Sequence, residues 1–302
     1  MDFQTMLGLQ GMLFALTLMG IYGRKRNIIT PEARGHLSDL LIEIILPMNI
    51  ISSFEVQLDT ALLHGVLLAF LISFGIEALS LLIGHILFAR SSASRRAVMQ
   101  YGAIVSNAAF MGLPIIRSFL GVQAGLYAAI ALIPIRIFMW SAGLSLFTKT
   151  DAKSAFKKLI THPCNIAVVI GFIVLFLPGG LPDFLSKAVS SVGNCATAVC
   201  MLIVGAFLAD TDLKTVFCGE TLFFSAIRLL LLPFLVWGLM TLLNVDRLLT
   251  GVLVLLSAMP AGSTTAILAA KYGGDADFAS KIIFVSTALS LFSIPLFSLL
   301  IA

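Results

Sequence analysis

The sequence predicts an all-α polytopic membrane protein: ten transmembrane helices in two inverted five-helix repeats, with broken crossing helices 4 and 9. Three observations carry this. Hydrophobic residues make up 59% of the 302 residues and charged residues only 11%, where a soluble chain carries about 25% charged residues. The apolar residues gather into ten runs, each near the roughly 20 residues that cross about 30 Å of hydrocarbon. Two of those runs are interrupted, at equivalent places in the two halves, by glycine, proline and small polar residues.

Taken in order, the predicted spans are 5–23, 37–54, 64–88, 97–118, 123–147, 162–178, 183–208, 219–242, 248–270 and 277–301. The first run, Met6–Gly23, follows Asp2 and precedes Arg24-Lys25-Arg26. A secretory signal carries its positive charge in front and a cleavage site behind, so this run reads as a retained span with its N-terminus outside. The loops are short, the longest being the basic stretches 24–36 and 148–161, and no soluble domain is expected. Lysine and arginine set orientation. The alternate loops 24–36, 89–96, 148–161, 209–218 and 271–276 hold 13 of them, whereas 55–63, 119–122, 179–182 and 243–247 hold only Arg247. The first set is therefore expected in the cytoplasm and both termini on the non-cytoplasmic side of the cell membrane. The net charge of +4 comes mostly from these loops, and no basic patch interleaved with aromatics points to nucleic acid.

Shifting the first-half numbering by 152 lays spans 2 to 5 onto spans 7 to 10, with span 1 offset a few residues from span 6. This divides a single membrane domain into repeats 1–150 and 151–302. Five spans is an odd number, so the second repeat enters the membrane upside down. Residue identity between the halves is poor, and the equal breaks carry most of the weight. The first break lies in IVSNAAFMGLPIIR (Ile104–Arg117), where Gly112 and Pro114 interrupt an apolar run around Asn107. The second is SAMPAGSTTA (Ser257–Ala266), with Pro260 and Gly262. Proline removes a helical hydrogen bond, and in lipid the freed groups need a partner in protein or a wet cavity. Interrupted helices in corresponding positions of inverted halves point to a transporter binding site.

The chemistry follows from those ends. Half-helix N-termini present unpaired N–H groups and partial positive charge, which favours a carboxylate. Asn107 adds a side chain that both donates and accepts, and Ser263, Thr264 and Thr265 add hydroxyls. The plainer reading is that these small residues only satisfy freed backbone or let helices pack closely. Arg136 lies at the centre of span 5, behind Pro134. A central arginine costs roughly 2.5–3.5 kcal/mol on insertion scales and must face protein or water. Substrate contact through its planar fork competes with an internal ion pair to Glu77. Glu77 and Arg228 fall at equivalent depth of the two halves and are the candidate coupling or ion-pair residues. Glu43 is a second carboxyl that could titrate.

Other chemistries find no pattern. HExxH, GxSxG and P-loop motifs are absent from the sequence, and the pair Asp210 and Asp212 sits at a loop edge. Cys164, Cys195, Cys200 and Cys218 form no CxxC pair, so neither disulfide nor metal framework is expected. No cofactor is implied and no enzymatic activity is expected.

The stretches LPMNIISSF (46–54), SNAAFMGLPI (106–115), HPCNIAVVIG (162–171) and AMPAGSTTAILAAKYGGDADFASKIIFVSTALSLFSIPLF (258–297) resemble the auxin efflux carrier family, which includes plant PIN proteins and bacterial malonate and malate permease-like carriers. The resemblance implies ten helices in inverted repeats, with helices 4 and 9 crossing at prolines best matched by Pro114 and Pro260. Asn107 matches the family asparagine that lies next to bound carboxylates. Relatives are dimers that move a transport domain against a scaffold, so a homodimer is expected. Two departures stand out. The long cytoplasmic loop of PIN proteins is replaced by about fourteen residues, as in bacterial members. Arg136 replaces the neutral polar residue of many members, which points away from auxin and toward a small acid, doubly charged ones included. The expectation is an elevator-like secondary carrier of small organic anions, with Asn107, Arg136, Ser263 and Thr264 binding substrate and Gly112, Pro114, Pro260 and Gly262 forming the crossover. The alternatives are a sodium-coupled carrier of the bile-acid type and a non-transporting sensor or intramembrane enzyme on the same scaffold.

Overall fold

The computed structural model describes residues 3–57, 59–148, 153, 156–157, 160–178, 180–210, 216–262 and 264–301. Its first half runs through α1 (Phe3–Lys25), α2 (Pro31–Ser53), α3 (Thr60–Leu87), α4 (Ala93–Ile104), α5 (Ala108–Leu120) and α6 (Val122–Gly143). The second half runs through α7 (Pro163–Phe176), α8 (Asp183–Ala206), α9 (Gly219–Leu242), α10 (Arg247–Ser257), α11 (Thr264–Tyr272) and α12 (Ala276–Ile301). Six of these, α2, α3, α6, α8, α9 and α12, are long and apolar enough to cross a membrane, and α5, α7 and α10 are shorter apolar helices. Each predicted span coincides with one helix, except that span 4 is α4 plus α5 and span 9 is α10 plus α11. The chain is a polytopic membrane protein.

Helix starts follow local chemistry. Thr30 accepts from the Ala33 N–H at 3.1 Å, Asp59 from Leu62 at 2.6 Å, and Asp246 from Leu248 and Leu249 at 2.9 and 3.1 Å. Each side chain satisfies donors that the first turn leaves unpaired. Asn27, at φ 56°, closes α1 in the left-handed region that asparagine tolerates.

Inside the helices, three prolines sit behind a widened turn. Leu46, Leu113 and Leu232 precede Pro47, Pro114 and Pro233, and each donates its N–H to the carbonyl five residues back, at Leu41, Ala108 and Ile227. A proline ring clashes with the carbonyl four residues behind it. One extra residue in the turn moves that carbonyl aside while keeping backbone groups paired, which lipid demands. Span 4 therefore does not break at Gly112–Pro114, as the sequence led us to expect. The helix absorbs that proline behind the widened turn in its middle, and the interruption lies several residues earlier.

The helices pack in two groups. In one, α1 lies along α8 while α2 packs on α7 and α8. In the other, α3 packs on α6 and α4, α9 on α12 and α10, and α5 and α11 on α6 and α12 respectively. The pairs recur when each helix is exchanged for its counterpart in the other half: α1 with α8 mirrors α7 with α2, and α6 with α10 mirrors α12 with α4. Small residues set the closest approach. A Cβ on Gly20 of α1 would run into the Leu202 carbonyl, and one on Gly205 of α8 into the Thr17 carbonyl, so these backbones touch as membrane helices do at small residues.

Two ion clusters tie loop ends together. Asp210 takes Arg24 Nε at 2.5 Å and Arg34 Nη1 at 2.7 Å, joining α1, α2 and the end of α8. Arg95 pairs with Glu220 and, at 3.2 Å, with Asp275, joining α4, α9 and the start of α12. Each cluster brings together loops that the charge count assigns to one face. Asp212 lies outside the described residues.

Candidate functional site

The two interrupted spans meet. After Ile104 the chain leaves the helix with Val105 extended (φ −99°, ψ 96°), and Asn107 (φ −77°, ψ 32°) starts α5. From Ala258 to Gly262 span 9 is likewise open. Ser106 and Ala261 face each other as an antiparallel bridge. Asn107 donates its N–H to the Pro260 carbonyl at 2.7 Å, and Gly262 donates to the Val105 carbonyl at 2.9 Å. Each break thus satisfies the backbone of the other, the requirement that lipid sets. The approach favours glycine: a Cβ on Gly262 would lie 3.2 Å from the carbonyl oxygens of Ser106 and Val105, and the backbone would have to give way slightly.

Side chains from flanking helices complete the backbone pairing. The Ala261 N–H donates to Ser286 Oγ of α12 at 3.2 Å. Arg228 Nη1, from α9, donates to the Ala103 carbonyl at 3.3 Å, placing a cation at the negative end of α4. Sequence reasoning assigned neither contact, because one serine in an apolar helix resembles another and the partner of Arg228 is a backbone atom. Glu77 interacts electrostatically with Arg228. It carries a buried Oε2 without a hydrogen-bond partner.

Both α5 and α11 begin at the crossing, so two helix N-termini, with N–H groups that have no intrahelical partner, lie side by side. The half-buried Asn107 amide makes no hydrogen bond among the described residues. Thr264 Oγ1 accepts from the buried Tyr101 hydroxyl at 3.4 Å, and the fully buried Thr265 keeps an Oγ1 with no partner. Ser263 lies outside the described residues. Gly112 adjoins the crossing, since a Cβ there would meet Leu256 Cδ2 at 3.0 Å and Met259 Cγ at 3.1 Å. Pro114 does not take part in the bridge; it sits in the first turn after the widened segment of α5. A cavity of about 10 Å³, lined by Met111, Ile115, Met201 and Ser290 among others, opens beyond the break and has room for one water.

Arg136 is buried, 2% exposed. Its α6 runs antiparallel to span 4, with Gly125 beside Arg117 and Gly143 beside Tyr101, and this register sets Arg136 opposite Ser106–Ala108. The side chain leaves the crossing, however. Its Nη1 donates to Asn165 Oδ1 of α7 at 2.5 Å, and its Nη2 is buried without a partner. The alternative pairing of Arg136 with Glu77 is not formed: Glu77 faces Arg228, and Arg136 faces α7. Asn165 entered the sequence reading only within the stretch HPCNIAVVIG, with no role of its own.

This architecture has relatives. The family model for membrane transport proteins matches residues 11–298. A protein of Methanothermobacter thermautotrophicus described as an uncharacterized transporter is 25% identical over 294 residues, 96% of each chain. The match runs through all of the crossing and its flanking helices, and with it the chain belongs to the membrane transport protein family, the family of the auxin efflux carriers.

Proposed function

We propose that the protein is a secondary carrier that moves small organic anions, carboxylates above all, by alternating access around the crossing of spans 4 and 9. The observation that carries this is the reciprocal pair of hydrogen bonds, Asn107 to Pro260 and Gly262 to Val105, which holds two helix N-termini together beside polar side chains with no partner. That combination suits an anion at mid-membrane depth. Asn107 orients the carboxylate and the helix ends balance its charge, Arg136 turns from Asn165 toward the carboxylate on loading, and Thr264, with Ser263, completes the hydrogen bonds. The recurrence of helix pairs between the halves supports an inverted repeat of 1–150 and 151–302. The division into α1, α2, α7 and α8 against the remaining helices supports an elevator-like displacement. Membership of a transporter family favours this over a sensor.

The test is flux in liposomes reconstituted with purified protein, using labelled malonate, succinate and lactate in turn. Uptake above protein-free vesicles, lost in Asn107→Ala at unchanged thermal midpoint, supports the proposal. Absence of flux for all three acids overturns it.

A further inference from the structure

Arg136 sits where a charge is hardest to leave alone. The guanidinium is buried, forms no ion pair among the described residues, and keeps one nitrogen, Nη2, without an acceptor. Its partner Asn165 stands in the first turn of α7, the end at which a helix is itself positive. A cation is thus buried against a positive helix end, held by one neutral amide oxygen. Unpaired buried charge is costly, and a bound anion supplies what is missing.

The contact also joins the two helix groups, since Arg136 belongs to α6 and Asn165 to α7. Other polar contacts across that seam lie along α6 toward Gly125, which Arg117 adjoins: Arg117 of α5 donates to the Asn49 carbonyl of α2 at 2.6 Å and to Ser52, and Ser118 meets Thr197 of α8 at 3.1 Å. Those bonds are remote from the unpaired guanidinium nitrogen and do not distinguish a loaded from an empty protein. The Arg136–Asn165 contact does. When the groups slide, an empty Arg136 leaves its acceptor behind, whereas a loaded one carries its acceptor along. A carboxylate is also the stronger acceptor for a guanidinium than an amide oxygen.

We infer that the Arg136–Asn165 contact is an anion-released latch, so that the protein exchanges one anion for another rather than letting the empty form return. This rests on the carrier reading above and adds to it the mode of transport and the role of Asn165 as a positioning residue. A conformational equilibrium moves only as far as the ligand's differential affinity allows, and the lost hydrogen bond to a charged group sets the scale of the latch.

The experiment compares uptake of labelled malonate, succinate and lactate into liposomes loaded either with the same unlabelled acid or with chloride, at clamped membrane potential. For the transported acid, loaded vesicles are expected to take up label about tenfold or more faster, the factor that one charge-assisted hydrogen bond supplies. Asn165→Ala brings that ratio toward one by raising uptake into chloride-filled vesicles, and Asn165→Ser does so in part. A wild-type ratio near one overturns the latch, as does an Asn165→Ala protein that transports with the ratio unchanged or loses both fluxes together. Absence of flux in both loadings overturns the carrier reading itself, and the latch with it.

Discussion

The Asn107 N–H lies 2.7 Å from the Pro260 carbonyl, and the Val105 carbonyl, two residues before Asn107, takes the Gly262 N–H at 2.9 Å. Two chain segments far apart in sequence thus use each other as a helix uses its own next turn. The contact leaves little room at Gly262, where a Cβ would lie 3.2 Å from two backbone carbonyl oxygens. Gly262→Val is expected to push the breaks apart and to cost at least the roughly 1–3 kcal/mol typical of overpacking, read as a lower thermal midpoint in detergent. A midpoint equal to wild type would show that the segments separate without loss.

Asn107 contributes its backbone to the bridge while its amide has no partner among the described residues. Asn107→Ala should therefore change stability by no more than about 0.5 kcal/mol, while anion flux is lost. Stability and flux falling in parallel would instead assign the side chain to the fold.

Ser286 is the reverse case. It caps the Ala261 N–H from α12 at 3.2 Å, and the site is fully buried. Ser286→Ala leaves that donor without an acceptor, at a cost of about 1–3 kcal/mol, with Ser286→Thr recovering part of it. Denaturant unfolding of the three proteins in one detergent measures the difference.

Arg95 holds Glu220 and Asp275 at a surface where its own side chain is 43% exposed. Exposed pairs contribute about 0–1 kcal/mol each and weaken with salt. Arg95→Ala is expected to lower stability within that range at low ionic strength and to differ little from wild type at high ionic strength. A larger, salt-independent loss would point instead to its packing over the Phe278 ring, 4.9 Å away.

The spans and both breaks were legible because lipid leaves few options: an apolar run of sufficient length is a helix, and Asn107 or a Pro260–Gly262 pair inside one demands explanation. The depth of the first break was not legible. Gly112 and Pro114 form the usual helix-ending signal, yet the widened turn over Ala108–Gly112 removes the proline's clash and lets the helix continue. The partners of Arg136 and Arg228 were hidden for another reason. A neutral amide on α7 and a carbonyl on α4 become identifiable only once tertiary packing brings them within reach. Glu77 and Arg228, by contrast, were brought together as candidates by the repeat offset, and in the fold Arg228 is the charged group that acts on the buried Glu77.

The ion clusters have a consequence for motion. Arg24, Arg34 and Asp210 all belong to the group of α1, α2 and α8, and Arg95, Glu220 and Asp275 all belong to the other. Displacing one group against the other leaves every one of these pairs intact. In the elevator-like displacement proposed above, the resistance comes from the few polar contacts across the seam and from apolar side chains changing their depth among acyl chains, a cost set by hydrophobic mismatch. Turnover should accordingly vary with the acyl length of the host lipid and stay nearly indifferent to added salt.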